Sequence, residues 1–154
     1  MKECVVVDGV RSANVRAHKD KGWFRHVRPD QVLIEVYKAL FKRNPKVKPE
    51  EVEAVFCGSA NQAGMLNDIA RIAWLAGGFP ECVASNGINQ QCPSGMSATE
   101  HAARAIMCGE GDIYIASGVE DMEKVPMMFA MDITPKLLDR YNMMDLPMGN
   151  TAEK

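Results

Sequence analysis

The stretch NQQCPSGMSATEHAARAIMCGEGDIYIASGVED, residues 89–121, decides how the rest of the chain is read. It opens on a polar turn, 89–92. A run of small and helix-forming residues follows, and predicts a helix over 93–108 that Gly109 stops. Pro93 fits the first helical position, where its missing N–H costs nothing. Ser94, Gly95, Ser97 and Ala98 allow a neighbouring backbone to come close. The run DIYIASG then predicts a strand over 112–118.

Working outward, ECVASNGIN (81–89) reads as a strand entering the turn. NDIARIAWLAGGFP (67–80) reads as an amphipathic helix, with Asn67 as its N-cap and Gly77, Gly78 and Pro80 as its end. A helical turn is expected at Pro49, then a strand at about 53–57. RPDQVLIEVYKALFKRN (28–44) has apolar residues at 32, 33, 36, 37, 40 and 41, which is helical spacing, and Pro29 and Asp30 suit its first turn. Residues 11–28 read as a loop, and CVVVDGV (4–10) as a fully buried strand. Strands alternating with helices point to a layered α/β fold. After Gly118 the pattern changes: six of the eleven methionines lie between 127 and 148, with no sustained element. Two readings of that segment stand side by side, adaptable packing or a ligand-facing lid. The expected division is 1–118 and 119–154.

At 154 residues the chain can bury a real core. A net charge of −2 and a pI near 5.9 argue against nucleic acid as the main partner. Basic clusters at Lys19, Lys21, Arg25 and Arg28, and at Lys42, Arg43, Lys46 and Lys48, read as solvated surfaces. The alternative is a patch facing an anionic cofactor or a neighbouring subunit. No apolar run is long enough to cross a bilayer. The start MKECVVVDGV lacks a leader's apolar region and cleavage site, so the expectation is a cytoplasmic protein with no membrane partner.

Five cysteines, at 4, 57, 82, 92 and 108, show no C-x-x-C or other metal spacing. Cys92 alone has a physical reason to react. At the start of a helix it meets the positive end of the macrodipole and free backbone N–H groups, and both favour the thiolate. The same amides suit a developing oxyanion, hence acyl transfer. Cys108 sits at the opposite end of that helix, where the dipole disfavours a thiolate. Cys4 and Cys57 fall in apolar strands and read as core thiols, and Cys82 has no distinguishing context. On these grounds a buried structural Cys92 stays open as an alternative. A nucleophilic cysteine also needs a base. His101 lies nine residues along the helix, on the opposite face and about 13 Å away along the axis. Nothing in the sequence brings His18 or His26 to Cys92.

These residues resemble the nucleophile region of the thiolases. Asn89, Cys92, Ser94, Gly95, Gly109, Asp112, Gly118, Glu120 and Met122 fall on that family's pattern. VVVDGVR, with Arg11, resembles its opening strand. GSANQAGMLNDIARIAWLAGGFP resembles the next strand, loop and helix, with Gly58, Gly64, Asn67 and Arg71. MGNTAEK (148–154) resembles a stretch of the family's loop region. Gln90, Pro93, Ser117 and Pro147 depart from the residues common there.

The resemblance implies a layered α/β/α N-terminal domain with a mixed sheet over 1–118. It also implies the start of a Met-rich loop domain over 119–154, with the C-terminal half absent. It implies that Cys92 takes an acyl group from an acyl-CoA or 3-ketoacyl-CoA thioester, for thiolytic cleavage or Claisen condensation. The backbone N–H of Cys92 would help hold the oxyanion, and Met148 would line the acyl pocket. No cofactor is implied, since coenzyme A thioesters are the substrates. The family's catalytic His and second Cys belong to the C-terminal half, so the isolated chain is expected to be inactive. Homo-oligomerisation as a dimer or tetramer, or pairing with a separate C-terminal chain, is expected, and a non-enzymatic scaffold is the alternative. A ketoacyl synthase also puts Cys at a helix start, but Gly118–Met122 and MGNTAEK favour a thiolase.

Overall fold

The computed structural model describes residues 2–61, 68–125 and 133–153. Helix α1 spans Pro29–Arg43. Pro29 stands in its first turn, and the backbone N–H of Arg28 donates to Gln31 Oε1 at 3.2 Å. A 3-10 turn at Pro49–Glu51 leads into strand β1, Ala54–Gly58. Helix α2 is Ile69–Ala76, strand β2 is Ala84–Ile88, helix α3 is Ser94–Cys108 and strand β3 is Tyr114–Gly118. Beyond them come two short helices, α4 at Pro135–Leu138 and α5 at Met148–Ala152.

The three strands form one sheet in the order β2-β1-β3. Ala54 pairs in register with Ala84 on one side and Tyr114 on the other, and both pairings are parallel. Successive strands are thus joined by crossovers, through α2 and then α3, as parallel pairing requires. The described strands are all parallel, so the mixed sheet that was expected has no antiparallel member among the described residues.

The two faces of the sheet are built differently. Val55 and Cys57 point toward α1 and α2, where Leu33, Tyr37, Ile69, Ala70, Ala73 and Trp74 complete a buried cluster. Tyr37, Phe41, Trp74 and Phe79 meet there as rings 4.5–6.1 Å apart. The phenol of Tyr37 shares a 2.8 Å hydrogen bond with Ser117 Oγ, which also donates to the Phe56 carbonyl at 3.1 Å. Helix α3 covers the other face with Ser94, Ser97, Ala98, Ala102 and Ala105. Side chains this small let the helix axis lie close to β1 and β3. Gly109, at φ 82°, ends α3 in the left-handed conformation a β-carbon disfavours.

The N-terminal segment corrects the sequence reading. Residues 4–10 form no strand, and Val5, Val6 and Val7 are 65–85% exposed. The segment is tied near its ends instead. Lys2 pairs with Asp112 at 2.8 Å, and Asp8 pairs with Arg43 at 2.9 Å and accepts from Asn44 Nδ2 at 2.7 Å. A β-branched run favours extended backbone, but it becomes a strand only with a hydrogen-bonded neighbour. Cys4 is therefore half-buried rather than a core thiol. Helix α2 is capped by Asp68, whose carboxylate accepts from the Arg71 N–H at 3.1 Å. The expected cap, Asn67, lies outside the described residues, as do Gly64 and Met127, Met128 and Met131.

Candidate functional site at the carboxyl ends of the strands

Parallel α/β sheets place their ligand sites beyond the carboxyl ends of the strands, where the connecting loops gather. Here Gly58, Ile88 and Gly118 end in register, and the loops that leave them converge. Cys92 lies in the β2–α3 loop, with an exposed side chain. Pro93 is the N-cap of α3 and Ser94 its first helical residue, one position later than expected. The thiol thus belongs to the turn just ahead of the helix. No side chain caps α3; its first amide, the Ser94 N–H, donates to the Gln91 carbonyl of this turn at 3.1 Å.

The turn is held from several sides. Gln91, with φ 59°, is the one non-glycine residue in the left-handed region among the described residues. Such a conformation costs free energy and persists where the surroundings fix it. Ser94, 3% exposed, donates from Oγ to the Gln91 carbonyl at 2.5 Å and accepts the Gln90 N–H at 2.9 Å. Ser97 Oγ bonds the Gln90 side chain. Asn89 Oδ1 accepts the Gln91 N–H at 3.0 Å, while Asn89 Nδ2 donates to the Ala60 carbonyl at 3.1 Å.

The first turn of α3 also presses on the end of β1. A β-carbon on Gly58 would stand 2.4 Å from the Gly95 nitrogen and the Ser94 carbonyl carbon. Only glycine allows this approach. From the loop after β3, the Glu120 carboxylate accepts the N–H groups of Ala60 at 2.7 Å and Asn61 at 3.1 Å, and Asn61 Nδ2 bonds the Val125 carbonyl. The Val119 N–H donates to the Gly58 carbonyl at 3.1 Å.

Exposure alone does not single out Cys92, because Cys82 and Cys108 are exposed too. Cys57 is fully buried, and burial pushes its thiol up from 9.0 to about 11. It is the inert core thiol the sequence indicated. No histidine is hydrogen-bonded to Cys92 among the described residues. His101 Nδ1 lies 2.7 Å from the Ser97 carbonyl, with its ring 5.8 Å from Phe56. His18 Nδ1 accepts the N–H groups of Asp20 and Lys21. Met148 opens α5, is 74% exposed, and belongs to a helix packed on the turn at 143–145. Among the described residues no cluster of His, Cys, Asp and Glu could hold a metal ion, and no helix is long and apolar enough to cross a membrane.

Sequence reasoning placed Asn89 and Glu120 in a motif without a task, and gave Ala60, Asn61 and the backbone of Gln91 no part. The links from Glu120 to Ala60 and Asn61, and from Asn89 to Ala60, join residues 29 to 60 positions apart, which no local pattern reveals.

Comparison with known proteins gives the family. The family model for the thiolase N-terminal domain matches residues 4–153. The 3-ketoacyl-CoA thiolase of Shewanella frigidimarina is 40% identical over 154 residues, covering 99% of this chain and 39% of that protein. The 3-ketoacyl-CoA thiolase of Psychrobacter cryohalolentis is 40% identical over 155 residues, covering 99% and 38%. Among solved structures, the acetyl-CoA acetyltransferase of Bacillus anthracis superposes with a TM-score of 0.59 at 36% identity, over 63% of this chain and 24% of that one. The chain spans about 39% of the length of the curated relatives it matches.

Proposed function

Because the chain belongs to the thiolase family, we propose that Cys92 is the nucleophile of an acyl transfer between coenzyme A thioesters. In the thiolytic direction the Cys92 thiolate attacks the keto carbon of a 3-ketoacyl-CoA. The carbonyl electrons move to oxygen, and the backbone N–H of Cys92 helps hold that oxyanion. When the carbonyl re-forms, the carbon–carbon bond breaks and the departing acetyl-CoA carbanion takes a proton. The acyl group left on sulfur then passes to the thiol of a second coenzyme A, which surrenders its own proton. The Claisen direction runs the same steps in reverse. Met148 and the segment 119–154 are assigned to the acyl pocket and the start of a loop domain, apart from the 1–118 α/β domain. The proposed setting is the cytoplasm, where thiols stay reduced.

The observation that carries this reading is the exposed Cys92 on a turn fixed by Ser94 and Asn89, at the joined ends of three parallel strands. Both proton transfers need a general acid–base, and no histidine is bonded to the thiol here. These 154 residues alone should therefore acylate at Cys92 without turning over. Acid–base residues would come from outside these residues: from a C-terminal half, from an oligomer or from a chain that pairs with this one.

The test is mass spectrometry of the chain after brief exposure to iodoacetamide, and separately to acetyl-CoA. Cys92 should label ahead of Cys82, Cys108 and Cys57, and Cys92→Ser should abolish the acyl adduct. Labelling of Cys92 no faster than Cys57 and Cys108 overturns the assignment. Thiolysis on co-expression with a chain carrying the His and second Cys supports the paired enzyme, and none would favour a scaffold.

A further inference from the structure

The turn that carries Cys92 is not held by its own loop alone. Asn89 fixes the Gln91 N–H, but the other end of the Asn89 amide rests on the Ala60 carbonyl, on the loop after β1. That loop needs an anchor in turn. Its two consecutive N–H groups, Ala60 and Asn61, both go to the Glu120 carboxylate, on the loop after β3. Glu120 is exposed and has no Lys or Arg ion pair among the described residues, so water could solvate it freely. It uses both oxygens on adjacent backbone amides instead. Charge-assisted bonds of this kind are about twice as strong as neutral ones.

We infer that Glu120 is a positioning residue for the Cys92 turn. Its carboxylate fixes residues 60 and 61. The Ala60 carbonyl then orients the Asn89 side chain, and Asn89 holds Gln91 in the left-handed conformation that aims the next residue, Cys92. The relay runs across the carboxyl ends of all three strands, from β3 to β1 to β2. Its catalytic meaning rests on the proposed role of Cys92, but the relay itself does not.

Amide hydrogen exchange on the full chain, with cysteine alkylation measured on the same samples, tests it. In Glu120→Ala the N–H groups of Ala60, Asn61 and Gln91 should all exchange about tenfold faster or more, the scale of a lost bond to a charged group. Core amides such as Val55 should stay at wild-type rates. Glu120→Gln keeps one acceptor oxygen and should restore part of the protection. Asn89→Ala cuts the relay later, so Gln91 alone should speed up while Ala60 and Asn61 stay protected. If Glu120→Ala releases Ala60 and Asn61 but leaves Gln91 at its wild-type rate, Glu120 is only a staple between two loops and the inference is wrong. No change at Gln91 in Asn89→Ala also overturns it. The alkylation arm separates the two claims. Where wild-type Cys92 outpaces Cys82, Glu120→Ala should lower that ratio several-fold, and an unchanged ratio counts against the relay. A wild-type ratio near one refutes the role of Cys92 and leaves the exchange results to decide the relay.

Discussion

Replacing Gly58 with Ala puts one methyl group at the tightest contact between the sheet and α3. The new β-carbon would stand 2.4 Å from the Gly95 nitrogen and the Ser94 carbonyl carbon, and 2.5 Å from the Ser94 oxygen. Ordinary van der Waals contact begins near 3.4 Å. The helix start and the strand end must therefore part by about 1 Å, and both are backbone that cannot rotate aside. Overpacking of this kind costs about 1–3 kcal/mol, less a few tenths regained because Ala restricts the unfolded chain. For a chain of this size that is a fall in melting temperature of about 3–10 °C, readable by circular dichroism. Gly95→Ala is the matched control. A β-carbon there meets nothing within 4 Å, and Ala is the better helix former, so stability should hold or rise by up to about 1 kcal/mol. Separating β1 from α3 also moves the turn that carries Cys92, so Gly58→Ala should slow its alkylation relative to Cys82. Equal stability of Gly58→Ala and wild type, or an equal loss in both variants, would refute the close-approach argument. A loss of stability with unchanged Cys92 labelling would refute its link to the site.

Two further predictions concern the buried face. Burial raises Cys57 to about 11 and raises the Tyr37 phenol as well, so the fold keeps protons that the unfolded chain loses from about pH 9 upward. Their contribution is fully present below pH 9 and falls as pH rises toward 11, by about 3 kcal/mol for Cys57. Urea titrations at pH 7, 9 and 10.5 should show the decline, and Cys57→Ala should flatten it; an unchanged slope in that variant assigns the effect elsewhere. Ser117→Ala strips the 1%-exposed Tyr37 of its 2.8 Å hydroxyl partner and should cost about 1–3 kcal/mol in urea melts. Adding Tyr37→Phe should recover part of that loss, and strictly additive losses would mean that the bond contributes nothing.

Most elements were legible because their signals are local. α1 lies within the expected 28–44 and α3 begins one residue late, with Gly109 closing it as expected. Strand β1 lies one residue beyond its expected run, while β2 and β3 end within a residue of theirs but start three and two residues late, with 81–82 forming a turn instead. Residues 4–10 misled because the same β-branched composition serves a strand only beside a partner. Those valines are exposed, and the chain is tied by Asp8 and Lys2 rather than by a ladder. Ser117 shows the opposite failure. It departs from the family pattern, and nothing in the sequence indicated that its hydroxyl would meet Tyr37, eighty residues away. At the site, the placement of Cys92 before a helix was readable from the turn and the proline. The bonds from Asn89 to Ala60 and from Ala60 to Glu120 were not, since each depends on which strands become neighbours.

The sheet divides stability and geometry between its two faces. On the α1–α2 side, Trp74 and Tyr37 bury large rings, Phe41 and Phe79 pack against them, and aromatic rings carry much apolar area each. On the α3 side, Ala98, Ala102 and Ala105 bury little area each. Leucines there would bury more, but they would lift the helix from the sheet. Lifting α3 would break the contact of Ser94 and Gly95 with Gly58 and carry the Cys92 turn away from Ala60 and Glu120. The small-residue face therefore forgoes apolar burial for a short helix-to-sheet distance. That distance is what brings an exposed thiol, a helix start that no side chain caps and the ends of three strands to one place.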